Sequence, residues 1–108
     1  MIIAIPIEQM SLKSKISTKF ARSNYFAVVN KLDKNYTIIQ NPYIDENVRV
    51  GQKLIDWLSA DYDVDTLLAY ELGLKVQHLA SQKEMQFILV ENESLTLEKL
   101  LTYLQINI

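Results

Sequence analysis

The segment Ile2–Ile7, Ile-Ile-Ala-Ile-Pro-Ile, is an unbroken apolar run made largely of β-branched residues, with no polar alternation. A strand with one wet face alternates polar and apolar side chains; a strand that does not alternate is covered on both faces. This run therefore reads as an interior strand of a sheet with further layers above and below it. Pro6 lies near its end and has no N–H to donate, so the ladder does not use an amide at that position.

The rest of the chain supplies the partners for that strand. Glu8–Asn24 is polar, rich in Ser and Lys, and has no sustained period. Tyr25–Asn30 and Tyr36–Asn41 are β-rich runs joined by Lys31-Leu32-Asp33-Lys34-Asn35, a connection short enough for an antiparallel hairpin. Asn41-Pro42 is a stop signal. Over 48–60, Val50, Leu54, Ile55, Trp57 and Leu58 form a helical stripe. Asp65–Ala69 reads as a second buried strand, Leu72–Ala80 as a helix and Met85–Val90 as a fifth strand. Leu97, Leu100, Leu101 and Leu104 recur at helical spacing, with Thr96 or Ser94 as N-cap and Glu98 in the first turn.

The resulting order is β-β-β-α-β-α-β-α. Strands alternating with helices in the second half require right-handed crossovers and parallel pairing, whereas the hairpin requires an antiparallel strand. The simplest assembly is an α/β, three-layer fold with a mixed five-stranded sheet of order 3-2-1-4-5, the ribonuclease H-like topology. With no internal repeat, low-complexity tract or linker, residues 1–108 are expected to form a single domain.

Composition then narrows the function classes. The fractions, 49% hydrophobic and 22% charged, are those of an ordinary globular chain. A net charge of −2 argues against a general nucleic-acid binder, which needs an excess of Lys and Arg. Without cysteine the chain has no disulfide and no thiolate with which to hold zinc or an iron–sulfur cluster. No stretch approaches the roughly 20 apolar residues of a membrane span. The apolar start lacks a basic leader and meets Glu8 early, so no signal peptide is expected and a cytoplasmic location is the default.

Few constellations carry chemistry. Asp61, Asp63 and Asp65 begin like a calcium loop, but Thr66 stands where that loop needs glycine and Leu72 where it needs glutamate. A polar turn is the favoured reading, and no metal site is assigned. His78, the single histidine, lies off the stripe of Leu72, Val76 and Leu79 and is expected to be exposed. A two-metal nuclease needs carboxylates on its central strand, and Ile2–Ile7 has none. No Gly-x-Ser-x-Gly elbow or glycine-rich phosphate cradle occurs, so no catalytic residue is assigned.

The loop Glu8–Asn24 is the most informative segment, because a connection of this length in a compact domain is commonly functional or mobile. Lys13, Lys15, Lys19 and Arg22 stand there without an intervening acid. In the 3-2-1-4-5 topology the ends at Ile7, Asn41 and Ala69 and the helix start near Val48 reach one sheet edge. Ligands of open α/β sheets bind at the carboxyl ends of parallel strands, and helix N-termini favour anions. An electropositive rim that receives an anionic cofactor or partner is one reading. Solvated lysines, with Phe20 pinning the loop to the core, are the other.

Several stretches resemble the dinitrogenase iron–molybdenum cofactor-binding family: Ile3-Ala4-Ile5-Pro6-Ile7 its opening strand, and Ser14–Phe26 its following loop and strand. Asn41-Pro42, Val64–Leu68 with Glu71-Leu72-Gly73, and Ser94–Leu100 are similar to later family segments. Where the family has His-Phe-Gly-Arg this chain has Lys19-Phe20-Ala21-Arg22. Of a glycine-rich run before the first helix only Gly51 remains, and Glu84 replaces the glycine before the fifth strand. The resemblance implies a non-enzymatic accessory protein that binds or carries iron–molybdenum cofactor or an iron–sulfur precursor, with metallocluster-assembly proteins as partners. Carried over, the cofactor-binding positions are Lys19, Phe20, Arg22, Asn41 and Gly51. The alternative is a cofactor-free interaction or regulatory module, with tyrosines 25, 36, 43, 62 and 70 and Trp57 as anchors. A homodimer would protect the edge strands of so small a sheet.

Overall fold

The computed structural model describes residues 1–107. Strands β1 (Ile2–Ile7), β2 (Tyr25–Asn30) and β3 (Asn35–Gln40) are followed by helix α1 (Val50–Tyr62), β4 (Thr66–Ala69), α2 (Leu74–Gln82), β5 (Gln86–Leu89) and α3 (Leu97–Tyr103). The sheet order is β3-β2-β1-β4-β5. β2 is antiparallel to both β1 and β3, and β4 is parallel to both β1 and β5. The mixed three-layer sheet read from the sequence is the fold observed.

Period-2 geometry divides β1 between two cores. Ala4 points into a cluster with Phe26, Leu54, Ile55, Leu58 and Leu67 beneath α1 and α2. Ile3, Ile5 and Ile7 point the other way, into a cluster with Leu68, Leu97, Leu100 and Leu101 beneath α3. Both faces being covered is what removes polar alternation from this segment.

Element ends move by one or two residues from their sequence-derived positions, for backbone reasons. The hairpin loop tightens to Lys31–Lys34 because Lys34 adopts a left-handed φ of 57°, and the Asn30 side chain accepts from the Asp33 amide. α1 starts at Val50, after a left-handed Arg49, and α2 at Leu74, after an extended Gly73. At α3 the Thr96 hydroxyl accepts from the Lys99 amide, which selects Thr96 over Ser94 as the cap.

Pro6 has a definite consequence for the sheet. The Asp65 amide donates to the Ile2 carbonyl, so Ile2, and by alternation Ala4 and Pro6, present their backbone groups towards β4. The next rung of the parallel ladder would need an N–H from Pro6, which does not exist. The β1–β4 register accordingly stops at Ala4↔Leu67, and the two strands part towards their carboxyl ends.

Two predictions follow from this packing. Leu101→Ala, at a fully buried position, should cost about 2–5 kcal/mol in chemical denaturation, whereas Leu74→Ala, 84% exposed, should stay within about 0.5 kcal/mol. Glu84 holds a left-handed φ of 60° on an exposed turn, at the position where the resembling family has glycine. Glu84→Gly should therefore raise stability by up to about 1 kcal/mol in the same measurement, as the Cβ clash is relieved.

Candidate functional site

The gap left beyond Ala4 and Leu67 is filled by the chain itself. Residues 15–17 of the long loop enter on the side of β1 away from β2: Ile16 bridges Ile7, and the Ser17 amide donates to the Pro6 carbonyl at 2.9 Å. The same segment then reaches α3. The Ile16 amide donates to the Leu95 carbonyl, Lys15 bridges Thr96, and the Leu97 and Glu98 amides donate to Ser14 and Leu12.

Three buried serines hold this path. Ser14 Oγ accepts from the Glu8 and Gln9 amides at 3.0 and 2.9 Å and donates to the Lys15 carbonyl. Ser17 Oγ accepts from the Lys19 amide. Ser23 Oγ is placed to donate to the carbonyls of Ile7 or Tyr25, at 2.8 and 2.7 Å. Phe20, 4% exposed, closes the loop against Phe26 with ring centroids 5.1 Å apart. The pinning role expected for Phe20 is the one observed, and backbone bonds and serines share it. Serine hydroxyls compete with regular secondary structure by bonding nearby backbone, which is why this stretch shows no period.

The residues singled out from the sequence have separate fates. Lys19 and Arg22 line one cleft of about 420 Å³ with Glu8, Gln9, Ser17, Thr18 and Asn24. Lys19 and Phe20 line a second, of about 410 Å³, with Thr18, Ala21, Glu71, Leu72, Gly73 and Val76. Lys19 makes no ion pair among the described residues. Arg22 is engaged, its Nη1 donating to the Ile44 and Glu46 carbonyls at 3.2 and 2.7 Å and strapping the 41–49 segment down. Asn41 is buried: its Nδ2 donates to the Ala21 and Ser23 carbonyls, and its Oδ1 accepts from the Tyr43 amide. Gly51 sits where α1 meets α2, and a Cβ there would stand 3.1 Å from Val76 Cγ2.

Charge along this edge differs from the electropositive rim that was one of the two sequence readings. A third cleft, of about 360 Å³, is lined by Thr18, Tyr70, Glu71, Val90, Glu91 and Glu93. The basic loop covers the β1 end, while the segments after β4 and β5 bring acids to the other end. Of the four loop cations only Lys19 and Arg22 line these clefts, and the Lys15 backbone pairs with Thr96 at the start of α3, so the four do not converge. Thr18 lines all three clefts, and neither it nor the acidic half was singled out from the sequence; the topology-derived positions of the loops after β4 and β5 were the available signal.

The other candidates have ordinary uses. Asp65 Oδ1 accepts from the Ile2 amide and the Thr66 hydroxyl, and Asp63 caps α1 in a left-handed conformation. His78 is exposed on α2, with Nε2 3.3 Å from Gln82 Nε2. Tyr43, Trp57 and Tyr62 stack edge to face and pack against the core beneath α1. Tyr70 donates its hydroxyl to the Asn92 carbonyl at 2.7 Å, and partial burial, with Glu93 second, raises its pKa above the ordinary 10.0.

As a donor set, this edge supplies an ammonium, hydroxyls, carboxylates and backbone amides. Among the described residues no three His, Cys, Asp or Glu side chains are grouped to hold a metal ion. Neither helix that opens here has a side-chain cap or an acid in its first turn, leaving the α1 and α2 N-terminal amides free to face an anion. The edge suits an anion held by charge and hydrogen bonds and does not suit direct ligation through sulfur or imidazole.

Fold and edge together define a ribonuclease H-like α/β domain whose switch point is plugged by its own first loop. The chain belongs to the dinitrogenase iron–molybdenum cofactor family, whose sequence model matches residues 1–105. The fold is similar to that of the apo form of the orange protein from Desulfovibrio gigas, with a TM-score of 0.82 and 18% identity over 96% of this chain and 86% of that one. It is also similar to the NMR structure of a putative NifB protein from Thermotoga, with a TM-score of 0.77 and 22% identity over the same shares, 96% and 86%. No curated protein matches the sequence.

Two measurements check this site. Ser14→Ala leaves two backbone amides without their acceptor and should cost about 1–3 kcal/mol in thermal or chemical denaturation. Because the folded pKa of Tyr70 is raised, its contribution is intact below pH 10.0 and is lost as the pH climbs through the higher folded value. Ultraviolet titration should therefore show a phenol that ionises at higher pH than free tyrosine, and Tyr70→Phe should remove that step.

Proposed function

We propose that this chain is a non-enzymatic accessory protein of iron–molybdenum cofactor handling that takes an anionic metallocluster, or its precursor, as cargo at the carboxyl edge of its sheet. One observation carries this reading: Lys19, without an ion pair among the described residues, shares a cleft with Gly73, the N-cap of the uncapped helix α2. An ammonium and free helix amides attract an anion without bonding to its metal. Family membership supports this class of cargo. The non-enzymatic reading is supported by the same edge, where among the described residues no nucleophile is paired with a base, and by β1, whose sequence Ile-Ile-Ala-Ile-Pro-Ile has no carboxylate.

The second reading, a cofactor-free interaction module, is favoured by Glu71, which lines the same cleft and opposes an anion. The two separate in solution. Tetrathiomolybdate, a small anionic molybdenum–sulfur species, should bind the purified protein with a shift in its visible spectrum, and Lys19→Glu should weaken binding about tenfold or more. Added salt should weaken it further, as expected of an exposed electrostatic contact. Equal binding to wild type and Lys19→Glu, or none at all, would leave the interaction module as the function.

A further inference from the structure

The opposite flank of the sheet carries a different surface. β5 is an edge strand, Gln-Phe-Ile-Leu, blunted by its four-residue length alone and carrying no charge, proline or bulge. The Gln86 and Val90 amides donate to the Asp65 and Ala69 carbonyls, both at 2.9 Å, so the even-numbered residues face β4. By alternation the N–H and C=O groups of Phe87 and Leu89 face outward, where the sheet has no further strand among the described residues. Leu89 is 60% exposed.

Beside this edge, on the α3 face, runs a groove of about 300 Å³ lined mainly by apolar side chains, among them Leu68, Ile88, Val90, Leu100 and Leu104. Tyr103, 78% exposed, forms its far lip. At the carboxyl end, Val90 and Glu91 are shared with the acidic cleft containing Glu71 and Glu93. None of those three glutamates forms a salt bridge among the described residues.

We propose that the outer edge of β5 takes up an extended segment of a partner protein as a sixth strand, apolar on its groove-facing side and carrying Lys or Arg at the end that reaches the acidic cleft. Backbone pairing with Phe87 and Leu89 supplies the affinity, the groove selects the side chains, and the glutamates fix the direction. Charge complementarity selects this occupant over a second copy of the chain. The residues flanking β5 in the chain itself are net acidic, Glu84, Glu91 and Glu93 against one lysine, Lys83, that is already paired with Asp56, so a second copy pairing here would bring no free cation to the acidic cleft.

The test uses the full chain, isotope-labelled, and two synthetic peptides. One is Thr-Val-Thr-Val-Ile-Val-Thr-Lys-Arg-Lys; the other ends in Glu-Asp-Glu. The basic peptide should shift and protect the Phe87 and Leu89 amides and bind about tenfold or more tightly than the acidic one. The double variant Glu91→Lys/Glu93→Lys, altered only at exposed positions, should reverse that preference. Leu89→Pro, which removes an outward N–H, should abolish binding, with Leu89→Lys as a second edge variant where proline disturbs the fold. Lys19→Glu should leave peptide binding unchanged. Equal binding of the two peptides, protection elsewhere than β5, loss of binding in Lys19→Glu, or a β5-paired dimer in solution would each overturn the proposal.

Discussion

One missing amide organises this molecule. Because Pro6 cannot donate towards β4, the parallel ladder ends at Ala4↔Leu67 and the central strands separate. The opening would expose the Pro6 carbonyl and the flanks of two apolar strands. The chain fills it with Ile16 and satisfies the carbonyl with the Ser17 amide. From that plug follow the closure of Phe20 on Phe26, the strapping of 41–49 by Arg22 and Asn41, and the docking of α3 through Ser14 and Leu12. The clefts at the carboxyl edge are what remains open around the plug.

The same device explains the division of charge. A loop that must cross from the end of β1 to the start of α3 and back to β2 carries its lysines across the β1 end only. The segments after β4 and β5 meet no such constraint and bring glutamates to the other half. A single edge thus presents a cationic cleft around Lys19 and an anionic one around Glu71, Glu91 and Glu93. Family membership gives the first its proposed cargo, and the unpaired edge of β5 gives the second its proposed partner.

The layered architecture was legible from residues because each strand announces its burial. Ile2–Ile7 lacks alternation since both faces are covered, and the leucines 97, 100 and 101 mark one face of α3. The sheet order followed from connection handedness. Strand and helix limits were less legible, since the left-handed turns at Lys34 and Arg49 use residues with no special preference for that conformation. The site was legible only as a region. Phe20 was recognisable as an anchor. Asn41 and Arg22, carried over from the family resemblance as cofactor-binding positions, also hold the loop through Asn41 Nδ2 and Arg22 Nη1 donating to backbone carbonyls. Nothing local in the sequence signals that Thr18 would stand at the meeting of three clefts, because that depends on strands far apart in the chain.

The central claim, that the first loop is an integral part of the sheet and not a mobile cover, is tested most directly by native-state amide hydrogen exchange. The account predicts that the Ile16, Ser17, Leu97 and Glu98 amides, all bonded across the plug, exchange as slowly as those of β1 and β2. Exchange of Ile16 and Ser17 at the rate of free chain, with β1 and β2 still protected, would contradict it.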